Sequence, residues 1–281
     1  MPAPSTPCHS PRRLSTPDPE GWIIYLAHQQ PRRLVVFVHG FHGGPLGTWQ
    51  EFPQSNSAWW KESDMLFVAY DSATLTIAGV AELIRDELPK FYPGIRHDLL
   101  VSGNVRLRED GDLAYEELVL VGHSLGGMIV RRALCDAAQE WLNGPHPSIP
   151  QPAILQARTK LFSPASAGLR LAGWYGMLRA TTPWGVVNMV LRRSPAFTDL
   201  QQDSPILTDT RQVTEALVRH YGSMMDALVA QIAWASPDNL VLDIPYSTDK
   251  PVRHVPGTTH RSVCKPTAGY PYPRTVVEAR W

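Results

Sequence analysis

A run of four apolar residues leads into a glycine-rich turn and then a long helical pattern near the middle of the chain. The run is residues 118–121 (LVLV), the turn is residues 122–127, and apolar residues at helical spacing continue over residues 128–141. A short run that is apolar at every position indicates a strand buried on both faces. A strand that passes through a tight turn into a helix is typical of parallel sheets. This succession therefore favours an α/β chain.

Similar patterns recur along most of the sequence. Further strands are predicted over residues 21–27, 34–38, 65–70, 159–162, 228–234 and 252–255, and further helices over residues 76–91 and 213–221. The alternation predicts a mostly parallel central sheet with helices on both faces. No internal repeat and no change of composition divides the chain, so residues 20–281 are predicted to form a single domain.

The first 19 residues have a different character. They hold six prolines and no periodic apolar pattern, which predicts a flexible tail over residues 1–19. They lack the apolar core of a signal peptide, and no apolar stretch approaches the roughly 18 residues of a membrane span. The three cysteines, Cys8, Cys135 and Cys264, share no motif spacing and are predicted to be free thiols. A cytoplasmic protein is the resulting expectation.

Charge and motif content exclude several classes of function. Lysine plus arginine and aspartate plus glutamate both total 26, so no bulk positive charge predicts a nucleic-acid partner. No cluster has metal-ligand spacing and no phosphate-binding loop is present, so no cofactor or metal is predicted. Paired arginines such as Arg131 and Arg132 are expected to be solvated surface.

The turn after residues 118–121 carries the chemistry. Residues 122–126 (Gly-His-Ser-Leu-Gly) fit the G-x-S-x-G pattern of a nucleophile elbow, placed between a strand and a helix as that motif requires. The two glycines remove Cβ atoms that would collide in so tight a turn. Ser124 would then be exposed above the sheet edge, with the N–H of Leu125 at the helix N-terminus ready to stabilise an oxyanion. The alternative is an ordinary turn with a surface serine.

Two motifs together carry a family resemblance. Residues 38–41 (Val-His-Gly-Phe) after one strand and the elbow after another resemble the α/β-hydrolase superfamily. Within it the chain is similar to lipase-like serine esterases, which include inositol deacylases acting on lipid anchors. The resemblance extends over residues 22–280. It implies the α/β-hydrolase fold, an ester or lipid substrate, no cofactor, and an oxyanion hole formed by the backbone N–H groups of Phe41 and Leu125.

The loop around the first motif contains two histidines. His39 is predicted to shape the oxyanion loop, and His42 could line the entrance of the site. The alternative is an ordinary flexible loop. No proton-transfer role is predicted for either histidine.

A catalytic serine needs a base, which in this fold follows the acid in the chain. The histidines after Ser124 are His146, His220, His254 and His260. His260 follows the last predicted strand in a Gly-x-x-His segment before a Lys-Pro, as the family often shows. It is therefore the predicted base, ahead of the other three histidines.

The acid is chosen from three aspartates. Asp238 follows a predicted strand in a segment similar to the family's Asp-x-x-Val, and it is the predicted acid. Asp243 and Asp249 are the competitors, although Asp249 stands only eleven residues before the base. Asp238 also suits a simple turn, a common role for aspartate.

Residues 163–168 depart from the family pattern. They read Ser-Pro-Ala-Ser-Ala-Gly where many relatives have a Thr-Pro-His-x-Gly segment. The missing histidine is not a member of the triad, so the resemblance implies a different local shape and substrate range rather than loss of activity.

Residues 168–192 are dense in tryptophan, methionine, valine and leucine. In lipase-like enzymes a helical insertion after this strand caps the site, so a cap segment over residues 168–192 is one prediction. The other is an ordinary pair of buried helices, since apolar stripes are usually core.

The sequence therefore predicts an esterase or lipase-like serine hydrolase with the triad Ser124, His260 and Asp238. An acyltransferase or thioesterase with the same triad is an alternative, as is a catalytically silent binding protein. A lipase activated by a partner that docks on residues 1–19 is a further idea. Transient contact with a membrane surface is compatible with this reading, and the oligomeric state is left open.

Overall fold

A computed structural model describes residues 8–14, 21–49, 51–55, 57–102, 105–108, 114–144, 150–170, 172–173 and 194–280. Eight strands form one sheet in the order β1-β2-β4-β3-β7-β8-β9-β10. The strands are β1 (His9–Arg13), β2 (Ile23–Ala27), β3 (Arg33–Val38), β4 (Ser63–Val68), β7 (Glu117–His123), β8 (Arg158–Phe162), β9 (Gln231–Ser236) and β10 (Arg253–Pro256). A separate two-stranded ladder joins β5 (Val101–Ser102) to β6 (Val105–Arg106).

The six strands from β4 to β10 in this order pair in parallel, whereas β1 and β2 are antiparallel additions at one edge. Helices in the described part of the chain include α1 (Ala58–Lys61), α2 (Ile77–Glu87), α3 (Leu125–Asn143), α4 (Pro195–Asp199), α5 (Pro205–Tyr221) and α6 (Tyr272–Glu278). Short 3-10 turns cover Phe52–Gln54, Leu88–Lys90, His97–Leu100, Ala153–Gln156 and Gly222–Leu228.

Strand β3 shows how the sheet separates two cores. Successive side chains of a strand point to opposite faces. Leu34 and Val36 accordingly pack in a cluster with α2, α3 and α5, whereas Val35 and Phe37 pack in a second cluster with α1 and α6. Helices therefore cover both faces, as the alternation in the sequence predicts.

The prediction of a flexible tail over residues 1–19 is wrong for His9–Arg13, which form strand β1. The His9 ring is buried, and its Nε2 lies 3.0 Å from the carbonyl oxygens of Trp60 and Ser63. The high proline content of this part of the sequence favoured a tail over a strand. An edge strand nevertheless tolerates Pro11, because one row of its N–H groups needs no partner in the sheet. Residues 1–7 and 15–20 lie outside the described residues.

Two helices are longer than predicted at their N-termini. Helix α3 begins at Leu125, directly after the elbow serine, and α5 begins at Pro205 rather than at residue 213. Proline suits the first turn of a helix because its missing N–H needs no partner there. Residues 208–212 of α5 are polar, so the first turns carry too few apolar residues to reveal the helical period.

Arg131 contradicts the prediction that paired arginines are solvated. Its guanidinium is buried in α3, donates to Asp249 Oδ2 at 2.6 Å and lies 3.9 Å from the centre of the Tyr246 ring. The helix period alone places it on the inner face, one position away from the more exposed Arg132.

The predicted cap segment lies largely outside the described residues, which include only 168–170 and 172–173 of it. The start of the segment is held to the rest of the fold, because Leu169 forms an isolated β-bridge with Val241 and the N–H of Arg170 donates to the carbonyl oxygen of Leu240. Among the described residues, no helix is both long enough and apolar enough to traverse a bilayer.

Candidate active site

Ser124 stands between β7 and α3 in a conformation that side chains rarely adopt, with φ 55° and ψ −121°. A Cβ at Gly122 would lie 2.6 Å from the Cα of Gly127, and one at Gly126 would lie 2.1 Å from the carbonyl oxygen of Val38. The surrounding backbone leaves no space for a side chain at either position, so both elbow glycines are required. Strain of this kind costs about 1–3 kcal/mol and concentrates at functional sites.

The structure brings the predicted base to the predicted nucleophile. His260 Nε2 lies 2.9 Å from Ser124 Oγ, and His260 Nδ1 lies 2.8 Å from Asp238 Oδ2. A carboxylate oxygen only accepts, so Nδ1 carries the proton and Nε2 offers its lone pair to the serine hydroxyl. The three side chains come from the ends of β7 and β9 and from the loop after β10, and all three are buried.

The carboxylate of Asp238 is held on both oxygens. Its Oδ1 accepts the N–H groups of Leu240 at 3.0 Å and Val241 at 3.2 Å. Burial by itself would raise the pKa of Asp238. Hydrogen bonds from His260, Leu240 and Ser163, together with the electrostatic interaction with His260, outweigh it and hold the pKa below its ordinary value. The carboxylate is therefore ionised at neutral pH and directed at the imidazole.

The two competing aspartates have other partners. Asp243 Oδ2 lies 2.5 Å from His254 Nε2 in an exposed pair beside β10. Asp249 accepts a hydrogen bond from Arg131 of α3 and also accepts the N–H of Ala230. The structure brings neither to Ser124.

The competing histidines are likewise separate from the elbow. His254 pairs with Asp243, and His220 is exposed near the end of α5. His146 lies outside the described residues.

The loop after β3 lies directly against the elbow. A Cβ at Gly40 would stand 2.9 Å from the Cβ of Ser124. Leu125 is the first residue of α3, where a backbone N–H has no acceptor within its own helix. The N–H groups predicted for the oxyanion hole, those of Leu125 and Phe41, therefore belong to the two segments that meet at Ser124.

His39 holds the peptide group that carries the Phe41 N–H. Its Nδ1 donates to the carbonyl oxygen of Gly40 at 2.9 Å, and its ring stacks on Tyr70 at 4.2 Å. The Tyr70 hydroxyl donates to the carbonyl oxygen of His39 at 2.5 Å. Since the C=O and N–H of a trans peptide point in opposite directions, the bond to Gly40 sets the direction of the Phe41 N–H. His42 is exposed and lies against the Phe41 ring.

No protein-family model and no curated protein matches this chain. Among solved structures, the Bacillus licheniformis lipase BlEst2 in its propeptide form matches at a TM-score of 0.53 with 14% identity, covering 97% of this chain and 54% of that one. The chain therefore spans about half the length of that lipase.

Two further solved structures are similar at lower TM-scores. A monoacylglycerol lipase from Paleococcus ferrophilus matches at 0.47 with 14% identity, covering 96% of this chain and 97% of that one. Esterase B from Lactobacillus rhamnosis matches at 0.49 with 11% identity, covering 89% and 75%. The six parallel strands and the likeness to the Bacillus lipase decide the architecture. The chain has the α/β-hydrolase fold.

The sequence motifs do not predict two further buried polar residues of this α/β-hydrolase fold. His123 donates from Nε2 to the carbonyl oxygen of His260 at 2.7 Å. Ser163, with φ 40°, accepts the N–H of Ala235 at 3.0 Å and is hydrogen-bonded to Asp238. His123 occupies the variable position of the elbow motif, so no pattern marks it. Ser163 does carry a signal in the sequence, because it opens residues 163–168, which depart from the family pattern.

The described residues contain no group of three His, Cys, Asp or Glu side chains arranged to hold a metal ion. The chemistry that the α/β-hydrolase site can perform with its own groups is nucleophilic attack by a hydroxyl, assisted by an imidazole base.

Proposed function

We propose that this chain is a serine hydrolase that cleaves carboxylic esters through an acyl-enzyme, with residues 20–281 as one domain. The observation that carries the proposal is the continuous hydrogen-bonded series from Asp238 through His260 to Ser124 at the strained elbow. A serine hydroxyl is a weak nucleophile at neutral pH, and this arrangement activates it.

Acylation begins when Ser124 Oγ attacks the ester carbonyl carbon and His260 Nε2 takes the hydroxyl proton. Asp238 holds the tautomer of His260 and stabilises the imidazolium that forms. As the tetrahedral intermediate collapses, the C–O bond to the alcohol breaks and His260 gives its proton to the leaving oxygen. Water then attacks the acyl-enzyme with the same base, which releases the acid and restores Ser124.

The negative charge on the intermediate develops on the former carbonyl oxygen. The proposed donors are the backbone N–H groups of Leu125 and Phe41, and the N-terminal end of the 19-residue helix α3 adds a favourable dipole. Losing one such donor typically costs about 10²–10³ in rate.

The proposed substrates are esters or lipids, since the described structural neighbours are named as lipases and esterases. Thioesters and acyl transfer would use the same groups. The proposed location is the cytoplasm, because Cys135 and Cys264 are free and buried. Burial raises the pKa of each thiol to about 12, so both are unreactive.

The test is labelling with a fluorophosphonate probe, which reacts only with an activated serine. Wild type should label and Ser124→Ala should not. The control Ser57→Ala, which removes an exposed hydroxyl that makes no capping bond, should label like wild type. Nitrophenyl esters of increasing chain length would then distinguish an esterase from a lipase. A folded wild type that neither labels nor turns over any ester would instead support a silent binding protein.

A further inference from the structure

The residue before the nucleophile occupies a rigid position in the fold. His123 is the last residue of β7, and its backbone pairs with Phe162 in the neighbouring strand β8. The N–H of Ser124 continues this pairing by donating to the carbonyl oxygen of Phe162 at 3.1 Å. The Cα of His123 is therefore fixed by the central sheet, and its side chain is buried.

From this fixed position the side chain of His123 reaches the loop that carries the base. Its Nε2 lies 2.7 Å from the carbonyl oxygen of His260, and the two imidazole rings are 4.9 Å apart at 46°. The bond joins residues that are 137 positions apart in the chain. It is a direct link between the strand end that presents Ser124 and the loop that presents His260.

The direction of the bond follows from its chemistry. A carbonyl oxygen only accepts, so Nε2 of His123 carries the proton. Burial, reinforced by the nearby His260, lowers the pKa of His123 to about 3. The ring is thus a neutral donor over the working range of most enzymes.

Neighbouring groups restrict the ring of His123 to this orientation. The Trp49 ring meets it edge to face at 6.4 Å. A Cβ at Gly40 would lie 3.1 Å from His123 Nδ1, so the loop after β3 packs closely on the same ring. The ring, which belongs to the elbow, therefore contacts both the loop after β3 and the loop that carries His260.

We propose that His123 is a positioning residue that sets the distance between the hydroxyl of Ser124 and the imidazole of His260. This inference rests on the proposed function, because it concerns the same triad. The physical reason is that proton transfer depends steeply on geometry, and a displacement of about 1 Å can cost roughly 10² in rate. His123 takes no proton from the substrate or the nucleophile and acts through the loop that it holds.

Two variants separate this role from simple packing. His123→Leu fills a similar volume without a donor, whereas His123→Gln keeps an N–H at a similar reach. We expect His123→Leu to lower kcat by about ten- to a hundredfold with KM nearly unchanged, and to slow fluorophosphonate labelling by the same factor. His123→Gln should recover most of both rates. If His123→Leu keeps the wild-type kcat, or if His123→Gln is as slow as His123→Leu, the proposal is overturned.

Hydrogen–deuterium exchange gives a readout that does not depend on activity. Peptides covering residues 257–264 should exchange faster in His123→Leu than in wild type, and His123→Gln should restore protection. Equal exchange in all three proteins would contradict the proposal that the hydrogen bond from His123 holds the loop that carries His260. A wild type that fails to label with fluorophosphonate would overturn the proposed function, and the exchange data would still decide whether His123 holds the loop.

Discussion

Each carboxylate oxygen of Asp238 has its own hydrogen-bond partners. One carboxylate oxygen faces His260 Nδ1, and the other accepts the N–H groups of Leu240 and Val241. The carboxylate cannot rotate without losing several bonds together. Its proposed role is therefore to hold one tautomer of the imidazole rather than to exchange protons.

We predict that Asp238→Asn lowers kcat by about 10³–10⁴ while the protein remains folded. An amide keeps the size of the side chain but can present an N–H to His260 Nδ1, which favours the tautomer that cannot accept the serine proton. Ester turnover and the melting temperature, measured on the same samples, test this. A variant with near wild-type kcat would remove Asp238 from the triad.

The two other aspartates provide controls of opposite kinds. Asp243→Asn changes an exposed pair with His254 and should leave kcat and stability near wild type. Asp249→Asn breaks a buried pair with Arg131 and should lower the free energy of unfolding by about 3–5 kcal/mol, without lowering kcat per folded molecule. Loss of turnover in Asp243→Asn would contradict the assignment.

Among the elements, the contact between the start of α3 and the end of β3 shapes the site. The backbone of Gly126 lies so close to β3 that an added Cβ would stand 2.1 Å from the carbonyl oxygen of Val38 and 2.3 Å from that of His39. Backbone atoms cannot yield as a flexible side chain can. This close approach allows the proposed oxyanion donors on two different elements to converge on one point.

We predict that Gly126→Ala forces α3 and the β3 loop apart, costing about 1–3 kcal/mol of stability, and abolishes fluorophosphonate labelling. Gly44→Ala is the matched control, since a Cβ there would meet no heavy atom within 4 Å. It should leave both the denaturation midpoint and labelling near wild type. Normal labelling by folded Gly126→Ala would show that this approach is not needed.

In the molecule as a whole, the two ends of the parallel sheet carry two different clusters of polar side chains. The site gathers at the carboxyl ends of β3, β7 and β9, where ligands bind in open α/β sheets. At the start of β4, Asp64 is buried and receives Arg108 through two bonds and the Tyr115 hydroxyl through a third. This second cluster ties Arg108 and Tyr115 to β4, at the end of the sheet opposite the proposed chemistry.

Global stability should respond to the titration of His123. Its pKa is about 3 in the folded protein and about 6.5 when unfolded, so only the unfolded chain takes up a proton between these values. The contribution of His123 to stability is therefore complete well above pH 6.5 and is lost as the pH drops toward 3. The titratable groups that face this ring are His260, Asp238 and Lys265.

We predict that between pH 7 and pH 5 wild type loses about 2 kcal/mol more of its free energy of unfolding than His123→Gln does. The two proteins are identical at every other position, so the difference between them isolates the effect of His123. Urea unfolding at the two pH values measures the difference. Parallel pH dependence in the two proteins would show that His123 is not held neutral.

The sequence by itself determined the features that are local in the chain. Continuous apolar runs specified the buried strands, and the spacing of glycines around Ser124 specified the tight turn, because strand burial and turn sterics involve only neighbouring residues. Chain order, together with the segments that resemble the family's, then favoured His260 and Asp238 among several candidates, although it could not exclude Asp243 or Asp249.

Only the tertiary structure decided which distant residues meet. It paired Asp249 with Arg131 and Asp243 with His254, and it placed Asp238 against His260. It also turned the proline-rich start of the chain into an edge strand. The physical reason is that a hydrogen bond or a strand pair between remote segments depends on where the packed sheet carries them, and no periodic pattern along the chain records that position.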